Sequence, residues 1–155
     1  LTGDRIGVTD NSVAAAGYVG EYIESLNLTP VALTSTIYND AASPITLTPG
    51  TWDVQANVRI DSNTNDWKHM EFGIGTATGN NIAGIDSGRC LVQFGANASG
   101  SHPLFNSTSY DNQFSTPVCR INLSATNNYY PKIYVNFGTG VMNVSTGFIR
   151  ATRVR

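Results

Sequence analysis

From Gly50 to Asp61 the chain alternates without a break: Trp52, Val54, Ala56, Val58 and Ile60 are separated by Asp53, Gln55, Asn57 and Arg59. A period of two sends one set of side chains into a core and the other into water, so the pattern predicts a half-buried strand. Pro49-Gly50 just before it is a turn signal. Shorter segments repeat the theme. Tyr22, Leu26 and Leu28 share one face, as do Val31, Leu33 and Ile37 after Pro30; Ile45 and Leu47 form a short strand before Pro49. Met70, Phe72 and Ile74 alternate after Trp67, and Leu91 to Phe94 is apolar between Gly88 and Gly95. Cys119, Ile121 and Leu123 alternate beyond Pro117, Ile133, Val135 and Phe137 beyond Pro131, and the last segment runs from Gly147 to Arg155.

About eight to ten short strands separated by turn signals predict an all-β fold, an antiparallel two-sheet sandwich or barrel. Nothing reads as a helix, because Ala14-Ala15-Ala16 is short and runs into Gly17. Residues 1–16 read as an extended lead-in and 17–155 as one domain; a start at Leu1 rather than Met reads as a piece of a longer protein. Two connections are long: Thr76 to Ser87, and Gly95 to Gln113, which carries His102 and Tyr110. Long structureless connections in a compact domain are often functional.

Composition sharpens this picture. Charged residues make up 13% of the chain, against about 25% in an ordinary soluble domain, and Ser, Thr and Asn supply the polarity instead. Those side chains compete for helical hydrogen bonds and suit strands and turns. A net charge of −2, with Lys68 and Lys132 as the two lysines, gives no basic field for nucleic acid. No run reaches the roughly 18 apolar residues of a membrane span. Cys90 and Cys119 lie in apolar stretches and read first as buried thiols, with a bridge between them as the alternative.

Catalytic patterns are missing. There is no Gly-x-Ser-x-Gly elbow, no His-Glu-x-x-His or Cys-x-x-Cys spacing and no phosphate loop, so the expectation is a non-enzyme without cofactor or metal. Scattered acids (Asp53, Asp61, Asp66, Glu71, Asp86, Asp111) do not identify a glycosidase pair. Asn-x-Ser/Thr sequons at Asn27, Asn97, Asn106, Asn122 and Asn143 are what so Asn- and Ser/Thr-rich a chain produces by chance. Candidate receptor- or sugar-contacting residues are Trp67, His69, His102, Tyr110 and Asp111, since aromatic faces pack on apolar sugar faces. For Trp67, Tyr129 and Tyr130 the heavier expectation is burial in the core or between subunits.

Two stretches carry a resemblance. The first comprises Gly17-Tyr18-Val19-Gly20-Glu21-Tyr22-Ile23, then Val31-Ala32-Leu33-Thr34, then Ile45-Thr46-Leu47-Thr48-Pro49-Gly50-Thr51-Trp52-Asp53-Val54. The second is Gly147-Phe148-Ile149-Arg150-Ala151-Thr152-Arg153-Val154-Arg155. Together they resemble the terminal domains of bacteriophage tail fibres, tailspikes and tail needles; residues 76–130 match nothing comparable. The resemblance implies a jelly-roll head like those of C1q and tumour necrosis factor, assembled as a homotrimer, with residues 1–16 descending from a stalk. It implies a virion tail tip, made in the host cytoplasm, that contacts a bacterial surface glycan or outer-membrane protein and caps the appendage. A structural trimerisation cap and a secreted C1q-like or lectin-like ligand are the alternatives. Phe148, Ile149, Arg150 and Arg153 are the expected trimer-interface residues, with arginines placed to pair across subunits or to hold a small anion or sugar in an inter-subunit cleft.

Overall fold

The structure, a computed structural model, describes residues 14–62, 67–79, 90–94 and 110–155. Eleven strands run through them: β1 (Tyr22–Asn27), β2 (Val31–Ala32), β3 (Tyr38–Asp40), β4 (Ile45–Leu47), β5 (Gly50–Ser62), β6 (Trp67–Gly75), β7 (Leu91–Phe94), β8 (Tyr110–Ser115), β9 (Cys119–Leu123), β10 (Asn127–Phe137) and β11 (Met142–Arg153). No helix occurs among the described residues. The chain is an all-β protein of two antiparallel sheets.

One sheet runs β1-β11-β5-β8, with β2 also on β11 and β9 also on β5; the other runs β3-β10-β6-β7, with β4 also on β10. The pairing nests: first strand with last, β3 and β4 with β10, β5 with β8 and β9, β6 with β7. The chain therefore behaves as one long hairpin folded over on itself, its halves alternating between the sheets.

Strand β5 shows why the register is unique. Trp52, Val54, Ala56, Val58 and Ile60 are all fully buried. A slip of one residue would turn these side chains to water, at a cost on the order of 10 kcal/mol. Ile149, Ala151 and Val144 of β11 join them, and Phe72, Ile74, Ile133, Val135 and Leu47 close the core from the opposite sheet. Cys90, just before β7, and Cys119 of β9 are joined in a disulfide that ties one sheet to the other, in place of the buried thiols expected first.

Several segments differ from the sequence pattern. Tyr22 and Leu26 do share a face, but it is the outer one (40% and 54% exposed), while Ile23 packs on the core. Val31, Leu33 and Ile37 do not share a strand: β2 ends at Ala32 and a turn with Thr36 at φ 66° precedes β3. Strand β10 begins four residues before Pro131, which lies opposite Ile74 inside the sheet, and β8 occupies part of the expected long loop. A bulge at Val144/Thr146 inverts the parity of β11, so Met142 and Val144 as well as Ile149 and Ala151 point inward.

Candidate functional site

Three surfaces carry the polar chemistry of the described residues. The first is the outer face of β3-β10-β6-β7. Its registers set Tyr38, Tyr134, Glu71 and Gln93 side by side across four strands. Glu71 gathers donors from three of those strands: the Tyr38 hydroxyl donates to Oε2, the Gln93 amide donates to Oε1 at 2.8 Å, and His69 Nε2 lies 2.9 Å from Oε1. Tyr134 packs between Tyr38 (ring centroids 5.2 Å apart) and His69 (5.8 Å). His69 is buried, and its Nδ1 has no partner.

Burial alone would raise the Glu71 carboxyl, but the hydrogen bonds from Tyr38, His69 and Gln93 outweigh it and hold it below the ordinary carboxylate value. Burial, then the hydrogen bond to Glu71, pushes the Tyr38 phenol well above its ordinary value. Both shifts run away from neutrality. A general base is tuned toward the working pH, whereas here Glu71 is a carboxylate and Tyr38 a neutral phenol well to either side of it.

The second surface adjoins the first. Lys132, fully buried on the outer side of β10 between Tyr130 and Tyr134, is paired with Asp40 of β3 and donates to the Gly79 carbonyl at 2.6 Å. The other oxygen of Asp40 accepts from the Gly79 N–H (2.9 Å) and the Thr78 hydroxyl (3.2 Å). Gly79 sits at φ +68°, a backbone geometry that glycine adopts without strain, and this turns the segment back over the sheet. Beside the pair opens a cleft of about 350 Å³ whose polar walls are Asn27, Asp40, Ser43, Thr78 and Tyr130. Val31, Ala42 and Pro44 supply the apolar part.

The third surface is the outer face of β1-β11-β5. Leu26 lies opposite Phe148, Glu24 opposite Arg150, and Tyr22 opposite Thr152. Arg150 reaches Gln55 at 2.6 Å and lies 5.1 Å above the Phe148 ring. Further along, Arg120 forms a two-pronged pair with Asp53 at 2.8 Å; hydrogen bonding to Arg120 holds the Asp53 carboxyl below its ordinary value.

The expected site residues do not converge. Trp67 begins β6 opposite Phe137 and His69 follows on the same strand, whereas Tyr110 and Asp111 begin β8 on the other sheet, opposite Ser62 and Asp61. His102 lies outside the described residues. His69 is held inside the Glu71 network and offers no open face to a receptor. Of the four residues expected between subunits, Phe148 is half-buried and Arg150 exposed. Ile149 is fully buried in the chain's own core, and Arg153 is 4% exposed. Arg153 donates to Glu21 (2.8 Å), to the Pro49 carbonyl (2.7 Å) and to the Thr48 hydroxyl, with its guanidinium 4.2 Å from the Trp52 ring. Neither Ile149 nor Arg153 has surface left for a neighbour. Among the described residues no group of three or more His, Cys, Asp or Glu is placed to hold a metal ion.

Sequence reasoning missed the row on Glu71 and the cleft at Asp40. One signal was present for the cleft: with so few lysines, a Lys132 set between Pro131 and Ile133 in an apolar strand requires a buried counter-charge.

These features define an all-β, two-sheet sandwich with one polar-aromatic outer face and one mixed apolar and charged outer face. No family model matches the chain, and no curated protein matches it. Among solved structures it is similar to a chain in the structure of infectious bursal disease virus Gx strain, at 8% identity and a TM-score of 0.40; the match covers 97% of this chain and 42% of that one.

Proposed function

We propose that this chain is the non-enzymatic head of a trimeric bacteriophage tail appendage, contacting the host surface and capping the fibre or needle. The observation that carries the reading is the outer face of β1-β11-β5. Four of the six exposed large hydrophobic side chains among the described residues (Tyr18, Tyr22, Leu26 and Leu28) fall in one short stretch at this edge. Leu26 meets Phe148 there, beside the cross-strand neighbours Glu24 and Arg150. Apolar patches rimmed by charge are the usual mark of an interaction surface, and a closed ring of identical heads covers three such faces at once. The nested strand order supports a jelly roll of the C1q and tumour necrosis factor type. The Glu71 carboxylate, already taken up by Tyr38, Gln93 and His69, supports a binding rather than a catalytic role.

Light scattering on the purified domain tests the assembly. The expected mass is about three times the 16.6 kDa of one chain, falling to the monomer mass in a Leu26→Asp/Phe148→Ser variant with an unchanged circular dichroism spectrum. A monomeric wild type, or a trimer indifferent to both substitutions, overturns it. Binding of the isolated trimer to whole host cells tests the contact role; a trimer that ignores cells reduces the function to capping.

A further inference from the structure

We infer that the cleft beside the Asp40–Lys132 pair is a binding site for one neutral sugar ring, a hexopyranose unit of a surface glycan. This deepens the surface-contact reading and rests on it for the source of the sugar, but the pocket lies within a single chain.

Charge sets the ligand class first. Among the described residues Asp40 is the one charged side chain lining the cleft, and Lys132, buried behind it, cancels that charge at contact distance. An anion would meet a carboxylate, and a cation would meet a carboxylate already engaged by Lys132. An uncharged ligand suits the balance.

Hydrogen-bonding capacity comes second. A carboxylate offers about four acceptor sites. Lys132, Thr78 and Gly79 occupy three of those on Asp40, whose side chain is still 30% exposed. The Asn27 amide uses its oxygen to accept from Thr29 N–H at 3.0 Å, leaving its NH₂ to donate. Ser43 and Tyr130 add hydroxyls that bond to no other described residue. Donors and acceptors thus share the lining of one small space, which suits a ring of hydroxyls.

Shape comes third. Lys132 Nζ lies over the Tyr130 ring, 5.4 Å from its centroid. The ring also lines the cleft, where it supplies an aromatic wall for the C–H face of a pyranose. A volume of about 350 Å³ sits at the small end of ligand pockets and admits a single ring. The buried ion pair explains why the walls hold their places. Such a pair is costly to desolvate and contributes little net stability, yet this one fixes β3, β10 and the Thr78–Gly79 turn, three of the elements that border the cleft.

The test is saturation-transfer NMR on the intact domain with methyl glycosides of glucose, galactose, mannose, rhamnose and N-acetylglucosamine, and N-acetylneuraminic acid as the charged comparison. We expect at least one neutral glycoside to bind with a Kd on the order of 1 mM. Tyr130→Ala should weaken it about tenfold, Tyr130→Phe, which keeps the ring, by less than about threefold, and Ser43→Trp, at an exposed position, should abolish it by filling the cleft. The inference is overturned if no neutral glycoside binds at about 50 mM, if the acidic sugar binds best, or if binding survives both Tyr130→Ala and Ser43→Trp. Sugar binding without cell attachment would remove the surface-contact reading alone. Cell attachment without sugar binding would remove this inference alone.

Discussion

Two arginines one residue apart in parity, on the same strand, should behave in opposite ways. Arg153 is 4% exposed, and its partner Glu21 has a side chain 10% exposed, so solvent screens the pair little. Replacing Arg153 with Met keeps the stem but removes the donors to Glu21, Pro49 and Thr48 and the guanidinium stacked on Trp52. Glu21 then keeps a single charge-stabilising contact, the Gly17 N–H at 2.7 Å. Removing one member of a buried pair typically costs about 3–5 kcal/mol, a large share of the roughly 5–15 kcal/mol that holds a domain together. Arg150, exposed on the single chain and bonded to Gln55, should cost clearly less than Arg153 when changed to Ala, because no buried charge is left behind. The assay is equilibrium urea unfolding followed by tryptophan fluorescence, with Trp52 as a reporter beside the pair. It is run at one fixed protein concentration, because an oligomer's stability depends on it. A Glu21→Gln/Arg153→Met double variant should be more stable than Arg153→Met alone, since it removes the orphaned carboxylate. The reasoning fails if Arg153→Met costs less than about 1 kcal/mol, if the two arginines cost the same, or if the double variant is the simple sum.

Gly50→Ala should destabilise the fold by about 2 kcal/mol or more in the same assay: Gly50 has φ +148°, and a Cβ there would fall 2.0 Å from Arg153 Nη1 and 2.9 Å from the Arg155 carbonyl. Reducing the Cys90–Cys119 disulfide, which closes 29 residues, should lower unfolding stability by about 3–4 kcal/mol on the chain-entropy account, read from denaturation with and without a thiol reductant. The Glu71 carboxyl sits below its ordinary value of 4.5 in the folded chain. It therefore contributes stability that is present above about pH 4.5 and lost as pH falls below it. Glu71→Gln should flatten the acid limb of a stability–pH profile, and an unchanged slope between about pH 5 and pH 3 would refute the role of that row.

How far the sequence reached depended on whether a residue's fate was decided by its own strand or by another. Strand β5 was legible because each inward residue from Trp52 to Ile60 is apolar and each partner on the outer side is polar or half-exposed, so period and burial coincide. Strand β9 was read at its observed bounds for the same reason, and β7 as an apolar run between glycines. Strand β11 was read only from Gly147, because the bulge before it puts Val144 and Ile149 on one face at an odd spacing and breaks the period. Strand β10 was started too late because Pro131 ordinarily marks a boundary; here its carbonyl still accepts from the Ala41 N–H while the ring faces inward.

Candidate sites were less legible, and the C-terminal arginines show why. On pattern alone Arg150 and Arg153 are equivalent cations in a terminal strand, and both were expected between subunits. What separates them is the partner each meets across the fold. Arg153 ends an inward-facing series, where Glu21 lies 132 positions away in sequence and Trp52 about a hundred, so nothing local marks it as buried. Arg150 lies opposite Glu24 on the outer face. The same holds for Glu71, whose donors come from Tyr38 and Gln93 on two other strands, and for Lys132, which waits on Asp40. A strand's alternation tells which side a residue faces. Whether that side is water, core or a cleft is decided by long-range pairing, and in a nested two-sheet fold nearly every functional neighbour is long-range. The outer face of β1-β11-β5 therefore presents Tyr22, Leu26, Phe148 and Arg150 while Ile149 and Arg153 are used up inside the chain, and the cleft at Asp40 lies where Asn27 and Val31 of that sheet meet Asp40 and Tyr130 of the other, so its walls too are neighbours only through long-range pairing.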